Sequence, residues 1–201
     1  MLRNAALVAP DAACVERLYR GRDYVPVRHV RRMLVELETP PRLPALAAAG
    51  GISLEPFDPA RDARAVHAAL EEAFTDHWDH VPRAWPEWRR RVLTGERYDP
   101  GLWFVARDGD QLVGAVSTAW KAEGDWGYVD ALGVRGPWRR RGIGEALLLR
   151  AFAALWERGE RRVALDVDAE SESGALRLYE QAGMRVLWRA VVYEKALTAI
   201  A

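Results

Sequence analysis

Residues 130–145 read DALGVRGPWRRRGIGE, and this stretch decides the fold. An apolar strand ends in Leu132-Gly133-Val134, a turn rich in arginine and glycine follows, and a helix begins at once. Glycines let backbone N–H groups approach an anion closely, a helix N-terminus adds about half a positive charge, and arginines add fixed charge. Arg139, Arg140, Arg141, Gly142, Ile143, Gly144 and Glu145 are therefore expected to cradle a diphosphate. The stretch is no P-loop, because G-x-x-x-x-G-K-[ST] is missing. It is no dinucleotide fingerprint either, because Leu147 stands where the third glycine belongs. The plain alternative is a solvated basic turn ahead of a helix.

Downstream, residues 144–158 carry Leu148, Ala151, Phe152 and Leu155 on one helical face, with Gly159 placed to end the helix. Residues 162–168 alternate as a strand, 173–182 read as a helix closed by Gly183, and 184–197 are strand-like. Upstream, 52–57 read as a short strand and 59–75 as an amphipathic helix capped by Asp58-Pro59. A second short helix is expected near 86–93. Strands are expected at 102–106 and 111–120 around an Asp108-Gly109 turn, and at 126–134 after a turn at Glu123-Gly124-Asp125. The succession predicts an α/β fold, a mixed sheet with helices on both faces.

Residues 38–51, ETPPRLPALAAAGG, read as a linker between a head of residues 1–37 and a body of residues 52–201. Sliding the chain by 160 positions sets Arg17-Leu18-Tyr19 on Arg177-Leu178-Tyr179 and Leu37 on Leu197, and brings the apolar Ala5–Val8 near the strand before the later helix. The head thus looks like a strand–helix–strand repeat of the body's end, which must pack on the body or on a partner subunit.

The 201 residues include 29 basic and 29 acidic side chains, and that balance argues against a dedicated nucleic-acid or membrane-surface binder. A single cysteine, Cys14, excludes a disulfide framework and a cysteine-rich zinc site. No run of 18 apolar residues and no signal-peptide core is present, so a cytoplasmic location is expected.

Two motifs resemble one family. Arg139-x-x-Gly142-x-Gly144 behind an L-x-V strand end, and Gly174-Ala175-Leu176-Arg177-Leu178-Tyr179-Glu180 followed by Gly183-Met184, are similar to the paired motifs of the GNAT superfamily of N-acetyltransferases. The resemblance runs from Ile52 to Lys195, and the head with its linker looks like a tandem GNAT chain of the mycothiol synthase type with most of its first domain missing. It implies a mostly antiparallel sheet, acetyl-CoA as co-substrate, no metal, and direct acetyl transfer to a primary amine. A small molecule is the expected acceptor and a homodimer the expected assembly.

The resemblance also assigns roles. Leu132, Gly133 and Val134 would line the pantetheine arm, with the Leu132 amide donating to the thioester carbonyl. Tyr179 would contact the coenzyme and serve as general acid, and its alternative is a core aromatic beside Ala175 and Leu178. Ser171 stands where the family often has a coenzyme-binding asparagine; Ser171 or Ser173 could instead cap the helix. An alkylamine is neutral about once in 2,500 molecules at pH 7, so a base is valuable. Asp130, counted onto the same strand side as Tyr128, is the first choice, with Glu71, Glu72 and Asp76 as rivals. Glu71, Asp76, His77, Trp78 and His80 are expected at the acceptor site. His77-x-x-His80 invites a metal reading, but no further His or Cys stands nearby to complete a site. Trp78, Trp85 and Trp88 equally suit a core. Two other classes stay open, a degenerate acyl-CoA-binding sensor and a plain scaffolding protein.

Overall fold

The computed structural model describes residues 2–7, 13–44, 51–122, 126–171 and 173–196. The elements are β1 (Leu2–Leu7), α1 (Ala13–Arg20), β2 (Val25–Glu36), β3 (Ile52–Pro56), α2 (Pro59–Ala73), α3 (Trp85–Val92) and β4 (Phe104–Asp108). They continue with β5 (Gln111–Ala122), β6 (Trp126–Val134), α4 (Ile143–Glu157), β7 (Arg162–Asp168), α5 (Ala175–Gln181) and β8 (Arg185–Lys195). The expected turn at Glu123-Gly124-Asp125, Val8, residues 45–50 of the linker and Leu197 lie outside the described residues. Strands β6 and β7 have the bounds the sequence predicts. Leu102 instead closes a 3₁₀ turn, because Asp99 caps Gly101 N–H and Pro100 starts the turn. The hairpin turn is Gly109-Asp110, one residue later than expected.

The chain divides into two compact units, Val35–Ala164, and Met1–Leu34 with Leu165–Ala201. In the first unit the strands run β7-β6-β5-β4-β3, antiparallel apart from the parallel β6–β7 pairing. Gly133 and Ala115 pair on one side of the β5–β6 ladder, Gly114 and Val134 on the other. A Cβ on Gly133 would meet Leu70 and Ala73 of α2, and one on Gly114 would meet Leu147 of α4. The two helices therefore cover opposite faces. Helix α4 is apolar nearly all round, burying Ile143, Leu147, Leu148, Phe152 and Leu155. Helix α2 starts on the Asp58 cap with Pro59 at its first position. Asp62, fully buried one turn in, binds Arg61, Arg107 and the Asp58 N–H. Burial works to raise its pKa, and those partners outweigh it and hold the carboxyl below the usual range.

Gly133 fixes how closely α2 approaches β6, since its absent Cβ would stand 2.9 Å from both Ala73 Cβ and Leu70 Cδ2. Overpacking of this kind costs about 1–3 kcal/mol. Gly133→Ala is expected to lose that much in urea unfolding, and a neutral result would show that α2 can slide.

In the second unit the strand order is β1-β8-β2-β7. Both β1 and β2 pair antiparallel with β8, one on each side. The head is thus strand–helix–strand, and its strands lie on the chain's own last strand.

Candidate functional site

Strand β6 carries the first part of the site. Val129 pairs with Thr118 and Ala131 with Ser117, so Asp130 is an extra residue, the centre of a β-bulge. The bulge breaks the alternation by which Asp130 was counted onto the same side as Tyr128, so period two alone does not place its carboxyl. Asp130 is exposed, yet its carboxyl lies among enough protein for desolvation to raise its pKa, against the opposing charge of Arg97.

Past the bulge, Arg135 N–H donates to Val113 O at 2.9 Å, and Val113 is itself the extra residue where β5 bulges against β4. An antiparallel ladder alternates, so this bond fixes the sense of the pairs before it. Ala131 and Gly133 face β5 with their N–H and C=O groups, while Leu132 and Val134 turn theirs away from it. On that far side the β6–β7 ladder among the described residues comprises Gly127↔Val163 and Tyr128↔Ala164, ahead of the bulge.

The turn after β6 is braced from within. Trp138 Nε1 donates to Asp108 at 2.9 Å, and Arg139 donates through Nε to Val134 O at 2.9 Å and through Nη2 to Ala73 O at 3.0 Å. Arg139, expected to offer its charge to an anion, spends two of its donors tying β6 to the end of α2. Arg140 and Arg141 are exposed, and Arg140 takes a left-handed backbone at φ 62°. Gly142 is left-handed at φ 77° and is the N-cap of α4, with no side chain capping the helix. The first intrahelical bond runs from Ala146 N–H to Gly142 O at 3.0 Å, so the N–H groups of Ile143, Gly144 and Glu145 precede it. Nothing lies within 4 Å of where a Gly142 Cβ would be. Free donors, open space and two exposed guanidinium groups fit a phosphate-bearing ligand.

The acceptor-side residues form a hub on α2 and the loop behind it. Glu71 Oε2 lies 3.1 Å from His80 Nε2 and accepts from Arg83 N–H at 3.3 Å. His67, one turn earlier on α2, has Nε2 2.8 Å from Arg83 O and 3.8 Å from Glu71 Oε1. Its ring lies against Trp85 and Trp88. Trp88 is buried, as its core alternative predicts, while Trp78 is half-buried. His77 packs edge-on to Phe74 and accepts from Asp79 N–H at 3.3 Å, and Asp76 is exposed. The structure thus groups Glu71 with His80 and holds His77 apart. His67 was missed by sequence reading, although the i, i+4 spacing to Glu71 was there to be seen. Among the described residues no group of three His, Cys, Asp or Glu is arranged to hold a metal ion.

The second unit holds the remaining candidates. Asp168, at the end of β7, is buried and takes a forked contact from Arg28 of β2, Nε at 3.0 Å and Nη2 at 2.8 Å. Arg28 and His29 also reach Glu170, and Arg32 pairs with Asp166. The brace joins residues 140 and 134 positions apart, a pairing of β2 with β7 that no local pattern in the sequence names. Ser171 N–H binds Asp168 O, and Ser171 Oγ lies 2.8 Å from Ser173 Oγ. It is Ser173 that accepts from Ala175 N–H, at 3.3 Å, where α5 begins. Tyr179 on α5 is buried, and burial pushes its phenol up to about 12. Its hydroxyl makes no hydrogen bond among the described residues.

Known proteins share this fold. The Acetyltransferase (GNAT) family model matches residues 63–184. Mycothiol acetyltransferases from Thermobispora bispora and Thermomonospora curvata are 35% and 34% identical, each over 86% of this chain. The chain spans 59% and 57% of those proteins, little more than half their length. A GCN5-related N-acetyltransferase from Sphaerobacter thermophilus superposes with a TM-score of 0.82 at 36% identity, over 96% of this chain and 59% of that one. A second, from Kribbella flavida, has a TM-score of 0.68 over 99% of this chain and 70% of that one, and at 18% identity it shares the fold. With the bulged strand, the uncapped helix after it and a family model spanning both, the chain belongs to the GNAT family of acetyltransferases.

Proposed function

We propose that the protein transfers the acetyl group of acetyl-CoA directly to a primary amine of a small molecule. The observation that carries this reading is the uncapped start of α4 at Gly142, which follows a strand end whose Leu132 N–H is turned away from β5. In this reading the N–H groups of residues 143–145, with Arg140 and Arg141, hold the diphosphate. The outward edge at Leu132, Gly133 and Val134 takes the pantetheine arm as an added strand. The Leu132 N–H stabilises the charge that builds on the thioester oxygen, a role worth about 2.7–4 kcal/mol for one donor. Tyr179 is read as the general acid that protonates the departing sulfur, and Ser171 as a contact to the coenzyme.

Asp130 takes the proton from the amine, directly or through water. Its raised pKa suits the task, because a carboxylate becomes a better base as its pKa moves toward the working pH. Glu71 and His80, with Asp76, His77 and Trp78 nearby in sequence, receive the acceptor. The names of the curated relatives support a small molecule rather than a protein. Residues 1–37 are read as the end of a preceding GNAT repeat, joined by residues 38–51 to the acetyltransferase domain, 52–201. One exposed free cysteine, Cys14, suits a cytoplasmic setting, and no described helix is long and apolar enough to cross a membrane.

The test is a titration of acetyl-CoA with an amine panel, followed by Asp130→Asn. The expected outcome is a fall in kcat/KM of about 10²–10⁴-fold. Because the wild-type carboxyl must be ionised to act, its acid limb should lie above the ordinary aspartate range, and the variant should lose that limb. An unchanged acid limb would move the base to Glu71. Coenzyme binding without turnover of any amine would favour a sensor.

A further inference from the structure

Unit Met1–Leu34 with Leu165–Ala201 contains a hidden two-fold relation. Val30 pairs with Ala190, 160 positions later. Around that pair the β2–β8 register maps onto itself when each residue is exchanged for the one 160 positions away. His29↔Val191 maps onto Arg31↔Arg189, Arg28↔Val192 onto Arg32↔Trp188, and Val25↔Glu194 onto Leu34↔Arg185. Even the irregularities correspond, between Pro26 and Arg28 on one side and between Arg32 and Met33 on the other.

The relation extends beyond the two strands. In the sheet order β1-β8-β2-β7, exchanging β1 with β7 and β2 with β8 returns the same order. Tyr24 N–H donates to Tyr19 O at 3.1 Å, and Met184 N–H donates to Tyr179 O at 3.0 Å. Asp23 N–H donates to Arg20 O as Gly183 N–H donates to Glu180 O, and both Asp23 and Gly183 take positive φ, 63° and 86°. A self-complementary pairing of this kind is what two copies of one segment make about a dimer axis.

We propose that β1–α1–β2 occupies, within one chain, the seat that a second copy's β7–α5–β8 would take, so that β8 is closed in cis and the protein does not pair through it. The proposal concerns only pairing through β8, and it holds whatever reaction the protein performs. The tether acts through effective concentration: a segment joined by a short linker competes at millimolar levels, which a second copy at micromolar concentration cannot match. If the second copy did take the seat, Ala190 would face Ala190 and Trp188 would face Val192.

Cysteine trapping separates the arrangements, starting from Cys14→Ser, which removes the only native thiol. Antiparallel partners lie within the Cα separation that a disulfide spans. Val30→Cys with Ala190→Cys is expected to oxidise within the chain and run as a monomer on a non-reducing gel. Ala190→Cys alone is expected to give no covalent dimer. Disulfide-linked dimers from the double variant would show an exchanged head, and dimers from the single variant would show β8 against β8; either result overturns the proposal. Hydrogen exchange on the unaltered chain keeps it testable if the variants misfold. Protection of the β2 and β8 amides should be equal at low and high protein concentration, and protection that grows with concentration overturns it.

Discussion

Gly142→Asp is expected to abolish stabilisation by acetyl-CoA while leaving the unliganded protein folded. The new side chain clashes with nothing, because a Cβ there meets nothing within 4 Å, and its cost is confined to the backbone. Aspartate enters the left-handed region more readily than most residues and is a strong N-cap. The φ of 77° still costs about 1–2 kcal/mol, a loss that a domain of this size survives. The effect on an anion is the opposite. The carboxylate would accept the N–H of Gly144 or Glu145, taking a donor from the diphosphate and setting a like charge beside it. At about 5 Å and an effective dielectric of about 20, each pair of unit charges repels by about 3 kcal/mol, more than a hundredfold in affinity. In the wild type, coenzyme at a hundredfold excess over Kd should add about 2.7 kcal/mol, a rise in Tm of roughly 5–10 °C. The variant should show none of that rise, with its own Tm within a few degrees of the parent. A full thermal shift in the variant would place the diphosphate elsewhere.

That residues 130–145 could be read so far from sequence has a physical reason. Helix starts, glycine turns and fixed charge are local properties, written within a few residues of where they act. Counting alone could not place Asp130, because its bulge is a fact about pairing with Ser117 and Thr118, strand neighbours that no local pattern names. The brace that Arg139 makes was hidden in the same way: its acceptors are Val134 O nearby and Ala73 O, which only packing of α2 brings into reach. His67 and Glu71 share a helix face and were open to reading, but the Arg83 backbone that links them arrives from a loop. The two-fold register around Val30 and Ala190 is carried by backbone pairing, and few side chains are common to the two halves.

Tyr179→Phe should lower kcat by about a hundredfold, leave KM for acetyl-CoA within about threefold, and leave the fold as stable as before. Stability is expected to hold because the hydroxyl has no hydrogen-bond partner among the described residues, so its removal strands no buried group. Burial pushes the phenol up to about 12, which keeps the proton in place at every pH where the enzyme would be assayed. The same burial makes the phenol a weaker acid. A thiol near pKa 8.5 leaves tolerably as thiolate in water, so handing it a proton from a phenol at about 12 is uphill by about 5 kcal/mol. The transfer becomes useful only if the departing sulfur is desolvated too, which raises its pKa by the same cause. For that reason the expected loss lies at the low end of the 10²–10⁴-fold typical of general acids. The pH dependence gives the sharper check. With the pKa raised and the protonated form active, the ratio of wild-type to variant rates should stay flat from pH 6 to 9. A ratio that shrinks as pH rises through that range would mean the phenol ionises there, against its burial. A variant fully active throughout would return Tyr179 to the core of its helix and leave the sulfur to depart unprotonated.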